Sequence, residues 1–174
     1  MSRSLFAVCL AVVVCATAPA ANAQAARQHL PAIAGVPFGT SYAATQAQLG
    51  PGFKERTAPK QPDVRTLTGP AQINGQSFTV NFTFTPAGAL HMVFAATSTP
   101  GGDDNACNAH WRAVRASLDA QFGPPDTQSD DPANSLAEAK FAFKDGSTID
   151  ASELGCLIGV IYETQPSGGK SGRK

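Results

Sequence analysis

Three histidines, two cysteines outside an apolar leader and a few clustered carboxylates hold most of the reactive chemistry of this 174-residue chain. His29, His91 and His110 are the only imidazoles. A Ser/His/Asp triad is a spatial arrangement, so spacing alone does not exclude one, but the chain has no Gly-x-Ser-x-Gly elbow. His91 is the histidine of most interest. The alternation around it predicts a place on the polar face of a strand beside Thr83, where a solvated cross-strand residue is a simpler account than a general base. His29 falls in the polar start. His110 adjoins Trp111 at the edge of an apolar stripe, where a packed or hydrogen-bonded imidazole is expected.

Two further groupings imitate ligand sites. Asp103-Asp104-Asn105 with His110 suggests a metal, yet adjacent carboxylates at a helix start already serve capping and the helix dipole. Neither an Asp-x-Asp-x-Asp-Gly loop nor a His-Glu-x-x-His pair occurs. Gly169-Lys170-Ser171 looks like the end of a phosphate-binding loop, but Thr164 stands where the first glycine is needed and no helix follows. No metal and no cofactor is expected.

The cysteines say more. Met1–Ala23 has the pattern of a secretory leader: Arg3, the apolar run Leu5–Ala16, and Ala21-Asn22-Ala23 before Gln24. That run is shorter than the roughly 20 residues a spanning helix needs, and no later stretch qualifies. Val12-Val13-Val14-Cys15 lacks the small residue a lipid-attachment site places before its cysteine. Export would take the chain into an oxidising compartment, periplasmic or extracellular. Only Cys107 and Cys156 survive cleavage, so they are the one intramolecular pair available. Their separation, with no Cys-x-x-Cys, argues for a structural staple and against a redox pair. Acids and bases balance at 13 each, and Lys170, Arg173 and Lys174 gather at the C-terminus. The folded part therefore lacks the basic stripe of a nucleic-acid binder.

The elements that must position these residues are readable by period. Cys107, Trp111, Val114, Leu118 and Phe122 form one apolar stripe of a helix over Asp104–Gly123. Asp104 or Asn105 is its predicted cap, and Gly123-Pro124-Pro125 ends it. A second, short helix runs from Tyr42 to Leu49 behind Thr40 or Ser41 and stops at Gly50-Pro51-Gly52. Its stripe is Tyr42, Ala43 and Leu49. Gln24–Pro31 is expected to be loosely ordered. Lys54–Pro62 and Pro124–Ala137 read as loops.

Strands follow from period two. Val64–Thr68 and Ala71–Ile73 lead into Asn74-Gly75, a strong hairpin signal. Phe78, Val80, Phe82 and Phe84 alternate with Thr79, Asn81, Thr83 and Thr85. Ala89–Thr97 returns with Leu90, Met92, Phe94 and Ala96 expected inward, which sets Thr83 opposite His91 and Asn81 opposite Val93. Phe141 and Phe143 point inward on Ala139–Lys144, Asp145-Gly146 turns, and Ile149 and Ala151 alternate on Thr148–Ser152. Leu154–Thr164 is the last strand, with Cys156, Ile158, Val160 and Tyr162 on its core face. The expected fold is α+β: one domain over residues 24–164, an antiparallel sheet with one long and one short helix on one face, and one disulfide. Residues 165–174 form a flexible basic tail.

The plan repeats: capped helix, Leu49-Gly50-Pro51, polar segment, strands; then capped helix, Phe122-Gly123-Pro124, polar segment, strands. Phe82-Thr83-Phe84 answers to Phe141-Ala142-Phe143 at a different offset. With Phe38-Gly39-Thr40-Ser41, these motifs resemble the β-lactamase inhibitor protein and the small outer-membrane assembly lipoproteins over Phe38–Tyr162. The resemblance implies helix-then-hairpin units that build a sheet whose open face binds proteins. This chain differs in that Val12-Val13-Val14-Cys15 departs from the lipid-site pattern and in the single disulfide expected of it.

The function expected is an exported, non-enzymatic binding module. Its partner, a protein or envelope component, would meet the open sheet face through Asn81, Thr83, Thr85 and His91. The alternatives are a small secreted or periplasmic hydrolase that uses His91, and a structural adaptor whose basic tail touches anionic envelope polymers.

Overall fold

A computed structural model describes residues 27–58, 61–131 and 136–165. The leader, the end of the basic tail and two short connections lie outside these residues. The architecture is α+β. A first helix, α1 (Tyr42–Leu49), is followed by β1 (Lys54–Ala58), β2 (Gln61–Ile73), β3 (Gln76–Phe84) and β4 (Leu90–Ser98). A second helix, α2 (Asp104–Phe122), is followed by β5 (Thr127–Asp131), β6 (Leu136–Ala142), β7 (Thr148–Leu154) and β8 (Leu157–Glu163). All neighbours pair antiparallel in one eight-stranded sheet of order β1-β2-β3-β4-β8-β7-β6-β5. Each helix thus opens a four-strand meander, and the two meanders join through β4 and β8.

The long helix buries the five residues its period requires: Cys107, Trp111, Val114, Leu118 and Phe122. Its cap is Asp103, one residue before those the sequence pointed to, and the carboxylate accepts the Ala106 N–H at 2.9 Å. The short helix is capped by Ser41 and buries Tyr42 and Thr45. Ala43, placed on the stripe by the sequence reading, is exposed. Gly50 and Gly123 end the two helices with nearly the same backbone, φ 74° and 75°, and their N–H groups bond back to Gln46 and Asp119 carbonyls.

Cross-strand register defines the core. Leu67, Phe82, Val93, Tyr162, Ile149 and Phe141 oppose one another in a row across six strands, and each is 2% exposed or less. Tyr42 of α1 meets Phe84 edge-on at 5.1 Å. Phe122 of α2 meets Phe141 at 6.2 Å and Phe143 at 5.6 Å. Gly69 has to be glycine, because a Cβ there would stand 2.7 Å from the Phe53 ring, which packs on Phe82.

Several expectations are corrected. Both supposed loops contain strands: β1 lies within Lys54–Pro62 and β5 within Pro124–Ala137. Val64–Thr68 and Ala71–Ile73 are parts of a single 13-residue strand. The supposed last strand, Leu154–Thr164, is broken by a two-residue turn, with Leu154 paired to Leu157 and Gly155 at φ 59°. Glycine at the first central position is what the type II′ hairpin uses. Cys156 therefore sits in that turn and not on the strand's core face. It still bonds Cys107, with Cα atoms 4.8 Å apart. Phe141 lies on β6, the counterpart of β2, so the Phe82/Phe141 correspondence fails in the sheet: Phe82 on β3 answers to Ile149 on β7.

The start of the described chain is anchored, contrary to expectation. Arg27 is buried, with Nε 2.6 Å from the Phe122 carbonyl and Nη1 2.7 Å from Asp126. Its remaining nitrogen donates to the Pro124 carbonyl, and the guanidinium lies over the Phe141 ring. It caps the end of α2, where free carbonyls attract a cation. Among the described residues no helix is long and apolar enough to cross a membrane.

Candidate functional site

Two regions take up the residues singled out in the sequence. The first is the sheet face opposite the apolar rows. One register row runs Thr66, Thr83, Met92, Glu163, Thr148 and Ala142, and the next runs Lys54, Thr68, Asn81, Phe94, Ile161, Asp150, Lys140 and Thr127. Asn81 and Thr83 are both on this face. Asn81 is half-buried, and its Oδ1 accepts the Thr68 hydroxyl at 2.7 Å. Thr83 is only 8% exposed.

The predicted neighbours are wrong. Thr83 opposes Met92 and Asn81 opposes Phe94, because the register shifts between Thr83 and Phe84. His91 is the extra residue of that bulge, which reverses the facing of everything after it. Val93 and Ala95 therefore go into the core, whereas Met92, Phe94 and Ala96, expected inward, lie on the polar face. The Phe94 ring covers Gly159, where a Cβ would come within 3.0 Å of it.

This face also carries residues the sequence reading did not single out. Leu136, Leu154 and Leu157 oppose one another directly on β6, β7 and β8. They are the large hydrophobic residues exposed among those described, at 41%, 66% and 48%. Recognising the Gly155-Cys156 turn would have exposed the signal, since it sets the two flanking leucines side by side at a hairpin end. Together with Phe94 and Ile161 they make an apolar band across a polar surface. Charge is divided along it: Lys54 and Arg56 lie toward the β1 edge, and Glu138 and Asp131 toward the β5 edge. Between them Lys140 pairs with Asp150 at 3.1 Å, which holds the Lys140 ammonium above its ordinary pKa.

The second region gathers Thr85 and His91. They line a cleft of about 390 Å³ with His29, Phe38, Leu90, Asp145 and Thr164. His29 Nδ1 is 2.9 Å from Asp145 Oδ2, although the imidazole is largely exposed. Burial pushes the Asp145 carboxyl up, but the Ser147 hydroxyl and N–H together with His29 outweigh it and hold the pKa below the ordinary value. The cleft's hydroxyls are engaged: Thr85 Oγ1 accepts the Ala89 N–H, and Thr164 Oγ1 donates to the His91 carbonyl. Among the described residues the histidine–carboxylate pair stands beside hydroxyls that are all in hydrogen bonds, those of Thr85, Ser147 and Thr164.

The remaining histidine, His110, bonds Thr99 Oγ1 at 2.8 Å, as an imidazole at the edge of a helix stripe should. One carboxylate is anomalous. Glu153 is 3% exposed, lies between Ile158 and Ala137, and has an oxygen without a hydrogen bond. Burial and the nearby Asp130 raise its pKa, and Arg112 opposes them in part. Among the described residues no group of three or more His, Cys, Asp or Glu could hold a metal. In comparison with known proteins, no family model, no curated protein and no solved structure matches this chain.

Proposed function

We propose that the chain is an exported, non-enzymatic binding module whose partner, a protein or an envelope component, meets the polar sheet face. The observation that carries this reading is the apolar band. Phe94 and Ile161 stand at its centre and three exposed leucines at its end, on a face whose other residues are mostly Thr, Asn, Ser and charged, with Met92, Ala96 and Ala142 among them. Contiguous exposed apolar surface is unfavourable in water and marks contact sites. In this reading α1 and α2 both cover the opposite face. Supporting that, Tyr42 contacts Phe84 and Phe122 contacts Phe141, rings that share one pleat side by register. Export is supported by the Met1–Ala23 leader pattern and by a disulfide, which favours an oxidising compartment. The resemblance to inhibitor-type helix-then-hairpin proteins points to the same use of an open sheet face.

Asn81 is then a flanking polar contact, Thr83, 8% exposed, offers a partner little surface, and Thr85 and His91 lie at the margin, in the cleft. The test is capture from the native exported fraction by the mature protein and by Ile161→Ser. A lost contact at the centre of an interface costs more than about 1 kcal/mol, so retention should fall by roughly tenfold with the melting temperature little changed. Undiminished capture by Ile161→Ser would remove this face as the site.

A small hydrolase is the second reading, favoured by the His29–Asp145 pair in the same cleft as His91. The engaged threonine hydroxyls stand against it. His91→Ala should leave turnover of ester, peptide, glycoside and phosphate substrates at the background level of the parent protein. Any His91-dependent turnover would reverse the order of the two readings.

A further inference from the structure

We infer that an opening of about 220 Å³ beside the long helix binds a small uncharged polyol of monosaccharide size, with the Tyr162 hydroxyl donating to it. The opening lies between the Ile33–Val36 turn, the end of the β2–β3 hairpin at Ile73 and Asn74, and Gln121 of α2. Tyr162 stands in the core row with Val93 and Ile149, on the other side of β8 from Ile161. The reading of the polar face therefore does not enter the argument.

The observation that carries the inference is an unmatched donor. Tyr162 is 2% exposed, yet no described residue hydrogen-bonds its hydroxyl. A buried hydroxyl is costly to leave unpaired, and a molecule held in the opening supplies the missing bond. Burial also raises the Tyr162 pKa well above the ordinary value, which keeps the proton on the oxygen and makes it a constant donor. At the rim, Asn74 Nδ2 donates to Gln121 Oε1 at 2.9 Å. The Asn74 oxygen and the Gln121 nitrogen then remain for a ligand. The turn opposite is firmly held: Ile33 and Val36 exchange peptide hydrogen bonds at 3.1 and 2.9 Å, and Gln48 of α1 donates to the Gly35 carbonyl at 2.8 Å. Ala34 keeps a φ of 49° there, a left-handed conformation rare outside glycine and recurrent at ligand clamps.

The wall selects against charge and against hydrocarbon. No lining residue carries a charge, so an ion would lose water without gaining a counter-charge. A hydrocarbon would leave the phenol and the two amides unpaired. A sugar satisfies both demands, since its hydroxyls pair with these groups and its C–H surface meets Ile33, Ala34 and Ile73. The volume is below the roughly 300 Å³ at which pockets for drug-sized ligands begin, which suits one ring and not a chain.

Ligand-detected NMR on the mature protein tests this with glucose, galactose and mannose, and with glucosamine and galacturonate as charged analogues. A neutral hexose should bind, and its charged analogue should bind at least about tenfold more weakly. Tyr162→Phe removes one oxygen and should weaken binding about five- to tenfold. Its melting temperature should equal or exceed the parent's, because the hydroxyl has no protein partner to lose. Gln121→Ala, at the exposed rim, should cost about threefold with stability unchanged. Ile161→Ser should leave sugar binding intact, so this site and the polar face stand or fall separately. Absence of hexose binding up to about 10 mM, equal binding of the charged sugars, or full affinity in Tyr162→Phe would mean that the opening holds water alone, and each overturns the inference. So does a lowered melting temperature in Tyr162→Phe, since the hydroxyl then serves the fold.

Discussion

The two helix-then-strands units share a plan and divide its labour unequally. The first has long strands, up to 13 residues, and a helix of eight that buries only Tyr42 and Thr45. The second has strands of five to seven residues and a helix of 19 that buries a full stripe. Where the sheet is long, wide strand pairing and Phe53 wedged against Gly69 and Phe82 supply the order. Where it is short, the helix supplies it, and the disulfide and Arg27 fasten that helix at its two ends. The same difference appears on the polar face. The short-strand unit leaves three leucines in solvent, whereas the long-strand unit presents threonine and asparagine beside the half-buried Met92 and Phe94. One unit is thus ordered chiefly by its strands, and the other is ordered by its helix and exposes the three leucines.

The largest test of this division is Arg27→Ala. It removes a buried guanidinium that serves two carbonyls and the half-exposed Asp126 carboxylate, and each hydrogen bond to a charged group contributes about 1.5–3 kcal/mol. Denaturant unfolding should show a loss of at least that size, and a loss below about 1 kcal/mol would mean the second unit does not depend on its strap. Next comes a matched pair. Leu118→Ala, in the long helix, should cost about 2–5 kcal/mol, and Leu49→Ala, half-buried in the short one, well under half as much. Equal costs would erase the asymmetry between the helices. The smallest effect concerns Glu153. Its folded pKa is raised, so the native state holds the proton more tightly and stability from this group is full below the ordinary 4.5. That contribution is lost as pH rises through the raised value. Glu153→Gln should flatten this segment of the stability–pH curve, measured by melting temperature, and an unaltered slope would show that Glu153 does not titrate in that range.

What could be read in advance depended on whether an element buries a face. Trp111, Leu118 and Phe122 announce α2 because a one-sided helix must repeat its apolar residues every three or four positions. The Phe78–Phe84 alternation announces β3 for the same reason. Edge strands give no such signal. In Thr127–Asp131 every residue is exposed, so the strand is held by its pairing with β6 and nothing in its composition betrays it. The facing of β4 was misread for another reason. A single unpaired residue, His91, reverses inside and outside, and no local residue type marks it. The candidate site suffered most. Phe94 was expected in the core, Thr83 in solvent beside His91, and the leucine row was hidden by an unrecognised turn.

The strand order has a kinetic consequence. Every pairing in the sheet except one joins strands adjacent in the chain, and the exception is β4 with β8. Local pairings close quickly, whereas the last one must search across the whole second unit. Each meander is therefore able to zip up by itself, and formation of the central seam is the slow event. Before it forms, β4 and β8 are both open edges in the half-built protein. At high concentration, β4 of one chain can meet β8 of another, and the product is an exchanged dimer with the same contacts as the monomer.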